Sequence, residues 1–218
     1  MSSKNVSRTP PAPSAIAAAA PNFVIAVFFL SVWIAPSWYG PSIALYTGGL
    51  MFLEFVAILS STFMGAAASF SRWRPWRVLV VAALGVVFSY FITDYAPKSG
   101  MYHLLELYWM LVAGRIVMML TGSYATAVSF LALGFVNGFL LVITLMPFIV
   151  LPVPALGMTD QVVEDMRRVL DAAGGIKDLT YEVRAVVCWG FLYFSLSGWA
   201  LLRVTPAMEA MESEAPSG

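Results

Sequence analysis

Two ionisable residues, Glu54 and Arg115, stand deep inside apolar stretches of this chain. Glu54 ends an uncharged run that begins after Arg8, and Arg115 opens one that lasts until Asp160. A charged side chain at bilayer depth costs ~2.5–3.5 kcal/mol or more unless it is paired or wetted, so such residues mark candidate functional sites. Glu54 lies about 12 residues, or ~18 Å, below one end of its apolar segment. Arg115 lies about 14 residues, or ~21 Å, below the same end of its own. Matching depth predicts an ion pair between them. The alternative is a neutral Glu54 bonded to a nearby hydroxyl, with Arg115 snorkelling to the membrane surface.

Further polar residues share the Glu54 helix. Thr47, Glu54 and Ser61 are seven apart, which places them on one face, with Gly65 close by. Such a stripe faces a bundle interior or an aqueous path, where it lines a route for a proton, an ion or a small solute, or forms a seam of interhelical hydrogen bonds. A second cluster, Asp94, Lys98, His103 and Glu106, falls near the end of the apolar segments. His103 and Glu106 are three apart and share a helix face. A His beside a carboxylate suits cation binding or pH sensing, and interfacial solvation is the plainer reading. Glu106 and Arg115 are nine apart and point to opposite faces. In the fifth apolar segment, Gly134 and Gly138 form a GxxxG pattern with Asn137 beside them, a signature of close helix packing with a cross-helix hydrogen bond.

Other chemistry is excluded by what the sequence lacks. One cysteine, Cys188, leaves no intrachain disulfide and no cysteine-based metal site. One histidine, His103, leaves no HExxH motif. Phosphate-binding loops and GxSxG are absent. No metal and no cofactor is expected, and an enzymatic role ranks last. Twelve basic residues balance twelve acidic ones, so nothing favours nucleic acid as a partner.

The elements that must position these residues follow from composition. The chain has 218 residues, of which 60% are hydrophobic and only 11% charged, with mean hydropathy +0.82. Soluble domains carry about 25% charged residues, so an integral membrane protein is implied. Backbone crosses lipid as helix, in segments of about 20 apolar residues. The expected fold is all-α: a polytopic bundle of about six spans, at 21–38, 42–68, 77–95, 101–121, 124–150 and 183–203. A five-span variant would make the fourth segment re-entrant. Residues 1–20 read as a disordered tail followed by a retained first span, not a cleaved leader. Residues 205–218 read as an acidic tail. Between 159 and 173, Val162, Val163, Met166, Val169 and Leu170 recur at helical spacing among charges, which predicts a short amphipathic helix started by Thr159 or Asp160 and stopped by Gly174-Gly175. Such a helix lies on the membrane surface, caps the bundle or docks a partner.

Charge sets orientation. Lys4, Arg8, Arg72, Arg74, Arg77 and Arg203 fall on one side, and the short loops opposite carry only Lys98. By the positive-inside rule both termini are cytoplasmic. Segment 151–182, with three basic against six acidic residues, then faces outward. Trp33, Trp38, Tyr39, Tyr95, Tyr102 and Tyr181 near one boundary, and Trp73, Trp76, Tyr124 and Trp199 near the other, form interfacial belts. Nine arginines against three lysines, with abundant alanine, point to a GC-rich bacterial genome and an inner membrane. The functional expectation is a small transporter or channel-like protein built on Glu54 and Arg115. The alternative is a non-catalytic membrane subunit or assembly factor. Expected partners are the lipid bilayer and either further copies of the chain or a larger membrane complex. No internal inverted repeat is visible.

Overall fold

The computed structural model describes residues 13–70, 73–99, 103–121, 124–150, 152–172 and 183–214. Tail residues 1–12 and 215–218, loop residues Ser71 and Arg72, boundary residues Tyr102 and Tyr181, turn residues Gly122 and Ser123, and the stop at Gly174-Gly175 lie outside them.

Among the described residues every regular element is helical. The long helices are α1 (Pro13–Ile34), α2 (Ile43–Ser69), α3 (Arg74–Ser99), α4 (His103–Thr121), α5 (Tyr124–Val150) and α7 (Val183–Glu214), and α6 (Asp160–Ala172) is short. All but α6 are long and apolar enough to cross a bilayer. The protein therefore has the architecture of a multi-pass membrane bundle. Lipid-compatible side chains face outward on its flanks, among them Leu79, Val86 and Phe91 on α3, Met110 and Met118 on α4, and Phe139 and Val142 on α5. At the far end of the apolar part of α7, the Arg203 guanidinium lies 5.4 Å from the Trp199 ring centroid, a pairing suited to a headgroup region.

The largest differences from the sequence reading fall at two boundaries. The first helix begins at Pro13, so residues 13–20, placed in the tail by their Pro-Ala-Ser composition, are helical. Alanine is the best helix former, and Ala15 and Ala19 are fully buried. The last helix continues to Glu214, through most of the segment read as a tail. Glu and Met are also good helix formers, and Pro206 is carried within the helix.

The second helix is the hub. It packs against α3, α4, α5, α6 and α7, while α1 packs chiefly along α7. Small residues bring these axes together. A Cβ on Gly65 would lie 2.6 Å from the Leu131 backbone nitrogen, and one on Gly134 would collide with Thr62 Oγ1. On the other side, a Cβ on Gly190 would collide with the Phe29 ring. Two apolar clusters result. One gathers Phe29, Trp33, Met51, Ile58, Val187 and Phe194 from α1, α2 and α7. The other gathers Leu53, Val56, Met64, Ile92, Tyr108 and Val112 from α2, α3 and α4.

The amphipathic helix caps the bundle. Val163 and Met166 are buried in the first cluster, and Glu164, Asp165, Arg167 and Arg168 form exposed ion pairs on its other face. Thr159 Oγ1 accepts the Val162 N–H at 3.4 Å, an N-cap. The segment leading into it is fastened to α1: Trp33 Nε1 donates to the Pro154 carbonyl at 2.9 Å and the Gly157 N–H to the Trp33 carbonyl at 3.2 Å. Arg184 then clamps α6 to α7, donating from Nε to the Met158 carbonyl at 2.8 Å and from Nη2 to Asp160 Oδ1 at 2.5 Å.

Candidate functional site

Glu54 and Arg115 line one cleft of about 240 Å3, together with Ala57, Ile58, Ser61, Leu111, Leu133, Gly134 and Asn137. The cleft lies where α4 and α5 flank α2. On α2, Glu54, Ala57, Ile58 and Ser61 fall at offsets of three, four and seven, which places them on one face. The glycine at 134 lets the α5 wall approach α2 closely, since a Cβ there would run into Thr62.

The two charges are held in different ways. Tyr193, from α7, donates its hydroxyl to Glu54 Oε1 at 2.6 Å. Arg115 reaches from α4 to the α2 surface, where Nη2 donates to the Ala57 carbonyl at 3.0 Å and Nη1 donates to the Ser60 hydroxyl at 2.7 Å and to Met64 Sδ at 3.6 Å. The direct ion pair expected from matching depth is not formed, because no Glu54–Arg115 contact falls within 4 Å. The reason is local. The Ala57 carbonyl and the Ser60 hydroxyl lie one to two turns along α2 from Glu54, and they engage the guanidinium there.

Around this pair runs a polar network that reaches α7. Ser197 donates to Asn137 Oδ1 at 3.3 Å. Ser197 is one turn along from Tyr193, on the same face of α7. Ser61 donates to the Ala57 carbonyl of its own helix at 2.7 Å. Tyr108 is fully buried beside Ser60 and Arg115, with no hydrogen-bond partner for its hydroxyl among the described residues. Sequence reasoning missed Ser60, Tyr108 and Tyr193. Tyrosine and serine are too common in membrane helices to single out, and Tyr193 is separated from Glu54 by 139 positions.

The remaining expected site residues lie elsewhere. Thr47 is buried, with its hydroxyl engaged by the Ile43 and Ala44 carbonyls at 3.1 and 3.2 Å. It lines a separate, apolar cavity of about 290 Å3 with Met51, Leu170, Val183 and Trp189. The Thr47–Glu54–Ser61 stripe is therefore divided. A straight helix drifts ∼20° per heptad, and α6 and α7 cover its first turns. His103 Nδ1 and Glu106 Oε2 are 3.1 Å apart and highly exposed. Asp94 is exposed on α3. Among the described residues no group of three or more His, Cys, Asp or Glu is placed to hold a metal. Gly134 makes the tight contact with α2, whereas a Cβ on Gly138 would meet only Ile58, at an ordinary 3.5 Å. Cys188 is buried.

Comparison with protein-family models, with curated proteins and with solved structures returns no match.

Proposed function

We propose that this chain is a small transporter or channel-like protein that carries a small solute or ion past Glu54 and Arg115. The observation that carries the reading is their arrangement. Two opposite charges deep in an apolar bundle line one cleft yet do not neutralise each other by contact. Bilayer charges are stable when paired or wetted, so the space between them suits water or a polar solute. Ser61 and Asn137 on the same walls add hydrogen-bonding groups. In a bacterial inner membrane with cytoplasmic termini, the cleft would sit near the middle of the bilayer, where transporter sites occur.

The test is flux through the purified protein in proteoliposomes, with ions and small polar solutes as cargo. Glu54→Gln and Arg115→Gln should each lower the flux at least tenfold while the protein still elutes as a folded, monodisperse species. Flux that survives both substitutions would contradict the reading.

A second reading, a subunit or assembly factor of a larger complex, draws on α7. Its 32 residues reach ~48 Å at 1.5 Å per residue, well beyond a hydrocarbon core of ≈30 Å. The excess turns would offer a partner a docking surface. Mass measurement of the complex extracted in mild detergent decides: a stable heteromeric assembly favours this reading, and a homo-oligomer or monomer favours the first.

A further inference from the structure

We propose that the Glu54/Arg115 cleft binds a small zwitterion, a solute with a primary ammonium at one end and a carboxylate at the other, of the size of a small amino acid. The proposal rests on the solute-path reading above and names the class of cargo.

Each wall retains unused hydrogen-bonding capacity of a definite sign. Glu54 has one oxygen, Oε1, engaged by Tyr193, and Oε2 has no protein partner among the described residues. A carboxylate accepts only, so this end asks for a donor, and a cationic donor forms the stronger bond. Arg115 has five N–H groups. Three are engaged, by Ala57, Ser60 and Met64. The Nε–H and one Nη2–H have no partner among the described residues. This end asks for an acceptor, and a carboxylate suits a guanidinium best. Asn137 accepts from Ser197 through Oδ1, which leaves its amide N–H groups as further donors on the α5 wall.

Spacing and volume narrow the class. The guanidinium bonds at Ala57 and Ser60, three and six residues on from Glu54, or ~4.5 to 9 Å along the axis. A simple cation would satisfy Glu54 alone, and a simple anion Arg115 alone. A molecule that carries both charges on a short carbon skeleton satisfies the two together, with a hydrogen bond of ~2.8 Å at each end. At about 240 Å3 the cleft falls below the ≈300–1,000 Å3 of sites for drug-sized ligands, so the skeleton must be short. The fixed Tyr193 and Ser60 contacts hold both charged groups in position before the solute arrives, which limits the ordering cost of binding.

Calorimetric titration of the protein in lipid nanodiscs tests the proposal, with alanine as the zwitterion and acetate and methylammonium as half-ligands. The expected result is that alanine binds at least tenfold more tightly than either half-ligand. Glu54→Gln and Arg115→Gln should each weaken alanine binding at least tenfold. Should either variant fail to fold, Asn137→Leu, which removes donors from the wall without touching either charge, should weaken it several-fold. Acetate binding as tightly as alanine, or alanine binding unchanged in Glu54→Gln, overturns the proposal. The two readings fail separately. Flux of another solute that depends on Glu54 and Arg115, without alanine binding, overturns the zwitterion and leaves the path. Alanine binding without flux supports the zwitterion site and overturns the path.

Discussion

At the scale of single residues, adjacent serines on α2 have different roles. Ser60 is fully buried and accepts from the Arg115 guanidinium at 2.7 Å. Among the described residues, Ser61 bonds only the Ala57 carbonyl of its own helix. Ser60→Ala leaves a charged donor without its partner and should destabilise the protein by ~1–3 kcal/mol. Ser61→Ala should change stability by no more than ~0.5 kcal/mol. Equilibrium unfolding in mixed micelles measures both. Tyr193→Phe deletes only the hydroxyl that donates to Glu54, and should cost between ~0.6 kcal/mol, the average for a hydrogen bond between membrane helices, and ~1.7 kcal/mol, the maximum. The sequence made Glu54 and Arg115 conspicuous, because isolated charges in apolar runs are visible without a structure. It pointed to Ser61 instead of Ser60, since heptad spacing from Glu54 selects one face. Arg115 approaches a neighbouring face, about 100° around the helix. That approach depends on where α4 packs, which residue spacing within α2 does not encode.

At the scale of elements, glycine placement decides which helices touch. Gly65 meets the Leu131 backbone and Gly134 meets Thr62, so each helix inserts a backbone-level contact into the other. Gly65→Val and Gly134→Val should each destabilise by ~1–3 kcal/mol, the range for overpacking a tight interface. Gly138→Ala should be tolerated within ~0.5 kcal/mol, because its added methyl meets only Ile58 at 3.5 Å. The contrast is readable by thermal melting of the three variants side by side. GxxxG marked the right segment in the sequence, yet only its first glycine makes the close approach. Helix α6 shows the same limit. Its charged and apolar faces were legible from periodicity, and of the uses open to such a helix the structure shows the cap, with Val163 and Met166 buried. Fastening depends on residues far from it in sequence: Trp33 holds the preceding segment and Arg184 holds its start. Arg184→Ala removes both of its bonds and should raise hydrogen exchange across α6 while leaving α2 protected, because local opening follows the contacts that are lost.

At the scale of the whole molecule, six long apolar helices follow from hydropathy alone, since twenty apolar residues have few stable alternatives in lipid. The order in which they pack does not. Hydropathy gives length, whereas the pairing of α1 with α7 and the central position of α2 come from shape, through Gly190 against Phe29 and Gly134 against Thr62. Orientation is a prediction of charge asymmetry. A reporter active only in the cytoplasm should score when fused at Gly218 and stay silent when inserted after Thr159. An inverse pattern would reverse the topology.

The central claim is that the Glu54/Arg115 cleft is reached by water from within the bundle, and thiol labelling tests it most directly. In a Cys188→Ala background, cysteine is placed at Ser61 or Asn137 in the cleft, and at Val142 on the outward apolar flank of α5. A water-soluble, membrane-impermeant maleimide reacts with thiolate, which forms in water and not in lipid. Ser61→Cys and Asn137→Cys should label in intact membranes, while Val142→Cys should not. Failure of both cleft positions to label, with a surface control such as Thr159→Cys labelled in membranes opened to both faces, would contradict the account.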